Sequence, residues 1–214
     1  MSTDPEPLVG PREISDARTL RALTHPVRVA LIEILSVHGS TTATEAAERI
    51  GESPSTCSFH LRQLAKYGFV EEAAGGRGRA RPWRMTSLGL RFSSVQDDPE
   101  TELAAIALAR LFHGRQMERY RTWIETRGSY PRRWRDAAAH HTHVFWVTPE
   151  ELEQLAQQLV DLLVPLYRDR RTDPSARPPG SLPVELLALA YPIEPPAGDE
   201  TGAVSPGPAG EAPA

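Results

Sequence analysis

The chain has 214 residues, 40% of them apolar and 24% charged, with a formal net charge of -4 and a pI near 6.0. That length holds one large domain or two small ones, and the composition excludes a collagen, a long coiled coil and a wholly disordered chain. No apolar run approaches the roughly 20 residues of a membrane span, and a pI below 7 argues at first against a nucleic-acid partner.

The N-terminus, MSTDPEPLVGPRE, has neither a basic start nor an apolar core, so no secretory signal is expected. Cys57 is the only cysteine, which fits a reducing cytoplasm. The charge is uneven. Residues 12–91 carry 12 basic and 8 acidic side chains, whereas residues 92–214 carry 12 basic and 18 acidic ones. A basic N-terminal unit joined to an acidic C-terminal one points to a nucleic-acid-binding end. Of the 24 basic residues only Lys66 is Lys. Arginine runs through both halves, which suggests GC-rich codon usage more than groove contacts.

Helical signals begin at Ser15. The segment DARTLRAL leads to Thr24-His25-Pro26, and proline suits the first helical position. Val27, Ala30, Leu31, Ile34 and Leu35 recur at helical spacing and predict one buried face, ended by Gly39. Thr42 and Glu45 have capping-box spacing and start a short helix that buries Ala46, Ala47 and Ile50 before Gly51. Ser53 and Pro54 then restart a helix as N-cap and first residue. Its core face is Cys57, Leu61 and Leu64; its other face shows Ser55, Thr56, Ser58, Phe59, Arg62 and Gln63. Two helices joined by a short Gly-containing turn, the second with a polar face, make a helix-turn-helix pattern.

Phe69–Ala73 and Ala80–Thr86 read as two strands of a hairpin around Gly75-Gly76-Arg77-Gly78, with no acid inside the loop to pair with Arg77, Arg79 or Arg81. A short helix is expected from Ser87 to Phe92, and a long one over about Glu100–Arg127. Val144–Val147 and Val184–Pro192 are strand candidates. Between them, Thr148-Pro149-Glu150-Glu151 opens a helix with a stripe of Leu152, Leu155, Ala156, Leu159, Leu162, Leu163 and Leu166. Strand, helix, strand suggests a small β-α-β unit.

A helix fits the DNA major groove, and short polar side chains near its start reach base edges or phosphates. Ser55, Thr56, Ser58, Phe59 and Arg62 have those types and that spacing, with Gln63 beside them. Arg77, Arg79 and Arg81 at the hairpin tip suit the minor groove. Enzyme chemistry has no foothold: there is no Gly-rich loop between strand and helix, no Gly-x-Ser-x-Gly and no His-Glu-x-x-His. No cofactor is expected. Cys57 reads as a packing residue. His140, His141 and His143 lack a carboxylate at ligand spacing and read as solvated. Trp123, Tyr130, Trp134, Trp146 and Tyr167 suit core and dimer packing more than an effector pocket.

Three stretches, LRALTHPVRVALIEIL, SPSTCSFHLRQLAKYGFVE and GGRGRARPWRMTSLG, resemble the winged-helix domain of ArsR-type bacterial transcriptional regulators. The likeness covers about residues 15–92, and the VFWVTPEEL segment resembles the extension of a long, actinobacterial-looking subgroup. It implies a mainly α fold with small β: a winged helix-turn-helix domain, then a long dimerisation helix and an α/β C-terminal region. It also implies a homodimer on double-stranded operator DNA, usually repressing. The family's base-contacting positions fall on Pro54, Ser55, Ser58 and Phe59. Pro54 stands where Gln is common and Phe59 where His is common, so operator sequence does not carry over. The stretch TTATEAAERI has no Cys or His, so the family's thiolate metal site is absent.

The expected organisation is a disordered tail over 1–14, the winged helix over 15–92, a dimerisation and possible effector region over 93–194, and a disordered tail over 195–214. The alternatives are a winged-helix adaptor that binds protein instead of DNA, and a small-molecule sensor working through its C-terminal region. An adaptor would carry apolar residues on its recognition helix.

Overall fold

The computed structural model describes residues 10–74, 81–139 and 141–195. Helices dominate. After strand β1 (Arg12–Glu13) come α1 (Ala17–Leu23), α2 (Pro26–His38), α3 (Ala43–Ile50) and α4 (Pro54–Lys66). Strands β2 (Val70–Glu72), β3 (Trp83–Met85) and β4 (Leu90–Arg91) follow, then α5 (Pro99–Thr126), α6 (Arg132–Ala137) and α7 (Pro149–Thr172).

The helix starts follow local chemistry. Asp16 accepts from the Thr19 N–H, Ser53 from the Thr56 N–H and Asp98 from the Thr101 N–H. Thr42 with Glu45 and Thr148 with Glu151 both close full capping boxes, as their spacing predicts. Gly51 ends α3 in the left-handed region (φ 74°), which lets the chain turn sharply into α4.

One core holds the N-terminal unit. Leu20 and Leu23 of α1, Leu31 of α2, Leu61 and Leu64 of α4, Phe69 and Leu108 of α5 are all fully buried in it. α2 runs through the middle, so it buries Val29 and Ile32 in addition to Ala30, Leu31 and Leu35, and leaves Val27 and Ile34 half-buried. The first half of α5 packs on α1 through Ala104, Ala105 and Leu108. Further along α5, Arg115 and Arg119 both bind the Glu33 carboxylate of α2, and Arg119 also binds Glu185.

β2 and β3 are antiparallel, with Val70 opposite Met85, Glu71 opposite Arg84 and Glu72 opposite Trp83. Thr41 and Trp83 exchange two backbone hydrogen bonds at 2.9 Å, so the loop before α3 joins this wing. β1 and β4 form a separate parallel pair, Arg12 opposite Leu90 and Glu13 opposite Arg91.

Several expectations need correction. The residues after Ser87 form β4, not a helix, because their backbone groups pair with β1. The expected N-terminal tail therefore ends earlier than residue 14: Arg12 and Glu13 are paired and Ile14 is buried. Residues 1–9 and 196–214 lie outside the described residues. Neither Val144–Val147 nor Val184–Pro192 forms a strand. No backbone hydrogen bond joins either segment to another described segment, and a strand without a partner has no ladder. The β-α-β unit is consequently not formed.

Candidate nucleic-acid interface

The turn from α3 to α4 sets up the polar face. Ser53 caps α4, and its Oγ lies 2.9 Å from Ser55 Oγ and 2.8 Å from Thr56 Oγ1. These hydroxyls crowd the helix start, where the backbone dipole favours an anion. One turn on, Arg62 donates to Ser58 Oγ at 2.9 Å, which holds the guanidinium along the helix surface. Pro54, Ser55, Phe59 and Arg62 are exposed; Thr56, Ser58 and Gln63 are half-buried. Phe59 is 52% exposed, its ring centroid 5.1 Å from that of His60 in an edge-on arrangement. The opposite face of α4, Cys57, Leu61 and Leu64, is fully buried, as its spacing predicts. Burial pushes the Cys57 thiol up, so it stays a protonated, inert packing group.

A concavity of about 550 Å³ lies between α3, α4 and the wing. Pro54, Ser55, Ser58 and Arg62 line it from α4, and Arg81 from the wing. Thr42, Ala43 and Thr44 at the start of α3 line it too, together with Glu72 and Trp83. Sequence reasoning missed this second group. The capping box marks Thr42 as a helix start, but only the packing of α3 across α4 turns that start toward the same space. Thr56, Phe59 and Gln63 lie outside this lining. Arg77 and Arg79 lie outside the described residues.

Arg81 finds an acidic partner outside the loop, donating to Glu72 of β2 at 3.0 Å across the hairpin. Arg84 pairs with Glu71 at 2.5 Å. Register explains both, since it brings the two glutamates of β2 beside the arginines on and before β3.

A histidine pair behind α4 also escaped the sequence reading. The His25 and His60 rings lie 4.3 Å apart between centroids. His25 Nδ1 accepts from the Val27 N–H at 3.2 Å and so caps α2, while buried His60 Nδ1 has no hydrogen-bond partner among the described residues. Burial holds both rings below the ordinary histidine value. The Arg28 guanidinium acts the same way on each and Glu52 opposes it; at His60 the neighbouring His25 adds to the lowering. The folded state thus favours neutral rings, and the unfolded chain takes up more protons near pH 6.5. The stability this contributes is complete above about pH 6.5 and is lost as the pH falls below it. Thermal melts should give a lower Tm at pH 5 than at pH 7.5, with a smaller difference in His60→Leu. A Tm that is flat or rises toward pH 5 would contradict the assignment.

Among the described residues no three His, Cys, Asp or Glu side chains form a group able to hold a metal ion. The His141 and His143 rings stack 6.1 Å apart, and His140 lies outside the described residues. Nor is any described helix long and apolar enough to cross a membrane.

The order of three helices, turn and wing agrees with the family comparison, in which the model described as "Helix-turn-helix domain" matches residues 23–73. Residues 23–73 are thus similar to a helix-turn-helix domain. The match begins at the end of α1 and runs through α4 and β2, so the matched stretch includes the whole polar face of α4. Among solved structures, reduced HlyU from Vibrio cholerae is 18% identical over 44% of this chain and 83% of its own, at a TM-score of 0.28. The transcriptional repressor BigR from Xylella fastidiosa is 25% identical over 46% and 84%, at 0.29. YusO from Bacillus subtilis is 16% identical over 67% and 80%, at 0.30. No curated protein sequence matches the chain.

Proposed function

We propose that the chain is a sequence-specific DNA-binding transcriptional regulator of ArsR type, a homodimer that represses from an operator and lacks the thiolate metal site. The observation that carries this reading is the convergence of the α4 serines, Arg62 and Arg81 on one concavity beside the start of α3. Hydroxyls and guanidiniums on a helix able to enter the major groove suit base edges and phosphates. The wing arginines Arg77, Arg79 and Arg81 add minor-groove or phosphate contacts. An adaptor would present apolar side chains on the exposed face of α4, whereas among the described residues Phe59 is the one large apolar side chain exposed there.

A gel shift over a salt series tests the reading. Ser55→Ala and Ser58→Ala should change the preference among operator sequences by roughly 1–3 kcal/mol per lost base contact, while binding to random DNA stays the same. Equal weakening on every sequence would place the serines on phosphates only. Unchanged binding would remove them from the interface.

One feature favours a sensing role alongside DNA binding. A groove of about 400 Å³ runs along the second half of α5, lined by Arg115, Arg119, Trp123 and Tyr130 among others. Arg119 there links Glu33 of α2 to Glu185 of the C-terminal region, so a ligand in the groove sits beside the contact between the two halves. A compound that binds should raise Tm in a thermal-shift screen and also alter operator affinity. Tm gains without any change in DNA binding would exclude it as an effector.

A further inference from the structure

Folding gives no reason for the position of Phe59. The core face of α4 is filled by Cys57, Leu61 and Leu64, all fully buried, while the Phe59 ring stays half in solvent. Ser55, Phe59, Arg62 and Lys66 are all exposed and follow one another at i, i+4, i+7 and i+11. On a helix that spacing forms one ridge. A hydroxyl, an apolar ring and two cations therefore stand in a single row along the outward side of α4.

The ring is also braced. Its edge-on neighbour His60 is buried, and His60 lies in turn against His25, 4.3 Å away between ring centroids. That contact steadies one side of the Phe59 ring and leaves the other open. Among the described residues no cation stands over it, and Arg62 one turn on is held by Ser58 Oγ at 2.9 Å.

Chemistry narrows what such a ring can meet on a helix lying in the major groove. Phenylalanine has no side-chain donor or acceptor, so it pairs neither with phosphate nor with the polar edges of bases. Against guanine O6 or the cytosine N4 amine it would strip water without replacing the lost hydrogen bond, which costs free energy. The one apolar group that the four standard bases present in that groove is the C5 methyl of thymine.

We propose that Phe59 reads a pyrimidine C5 methyl group in the major groove, packing the open side of its ring against it. Thymine and 5-methylcytosine both carry that group. The proposal rests on the DNA-binding reading above and assigns one part of its base preference to one side chain. The α4 serines and Arg62 supply hydrogen bonds; Phe59 supplies an apolar contact.

Selection of bound duplexes from a random pool by the full-length chain, followed by single-base analogues, tests it. Deoxyuridine in place of one thymine at a time removes the methyl and keeps every hydrogen-bonding group. At one thymine position or more the wild-type chain should lose affinity roughly fourfold, the equivalent of about 0.8 kcal/mol for one buried methyl-sized group. That loss should vanish in Phe59→Ala. It should persist in part in Phe59→Leu, which keeps an apolar side chain on the ridge and so separates lost contact from a folding defect. At the same position 5-methylcytosine should bind more tightly than cytosine; equal binding of the two, with the deoxyuridine effect intact, upholds the contact for thymine alone. Deoxyuridine without effect at every position overturns the proposal. So does an equal loss in wild type and Phe59→Ala, which would place the influence of the methyl in DNA shape. Either of those results on an enriched sequence leaves the regulator reading standing, whereas a pool with no enriched sequence overturns both.

Discussion

Replacing both Arg62 and Arg81 by Ala should cut DNA affinity on every sequence and flatten its salt dependence. Each guanidinium that neutralises a phosphate contributes about 0.9 to the slope of log affinity against log salt, so the double variant should lose roughly 2 from that slope per bound protomer. The two positions carry different internal partners. Arg62 leans on Ser58, a neutral hydroxyl, and is available at little cost. Arg81 is held by Glu72 and must exchange a carboxylate for a phosphate. Both groups of that pair are exposed, so the pair itself is worth little to stability. Glu72→Gln should therefore tighten binding to random DNA and steepen the salt slope, with little change in Tm. A gel shift at four or five salt concentrations reads both variants. If the double variant keeps the wild-type slope, these arginines do not meet phosphate.

Leu61→Ala should strongly destabilise the N-terminal unit while leaving the exposed face of α4 intact. Leu61 is fully buried on the core face of α4, between Cys57 and Leu64. Truncating a buried leucine costs about 2–5 kcal/mol, a large share of the roughly 5–15 kcal/mol that holds a domain together. In a domain of this size each kcal/mol shifts Tm by about 4–8 °C, so a loss of ten degrees or more is expected. Phe59→Ala, two positions earlier on the solvent side, should leave Tm within a few degrees and alter DNA binding instead. Thermal melts of the two variants separate the faces of α4. Equal destabilisation would mean that Phe59 belongs to the core and not to the interface.

What the sequence made legible was local. Both capping boxes, the Ser53-Pro54 start of α4 and the three-residue core face of that helix follow from spacing within a few residues. The polar face of α4 is legible for the same reason, since it is what remains once the core face is assigned. What escaped depends on contacts distant in sequence. The pairing of β4 with β1 joins residues near 90 to residues near 12, and no local pattern at Ser87–Phe92 shows it. Glu72 meets Arg81 only once the hairpin register is set, and His25 meets His60 only once α2 crosses α4. The apolar runs around Val144 and Val184 have the composition of strands, but a strand also requires a neighbour to bond with. Overall charge misled in the same way. A total of -4 conceals an excess of basic groups over residues 12–91, and two of those groups flank the concavity at α4.

The central claim is that the α4 face reads DNA sequence, and footprinting of genomic fragments captured by the full-length chain tests it most directly. Protection should fall on two half-sites about one helical turn, roughly 10 base pairs, apart. The recovered sequence should change when Ser55 and Ser58 are both replaced by Ala. Fragments without a shared sequence, or the same shared sequence after both replacements, would contradict it.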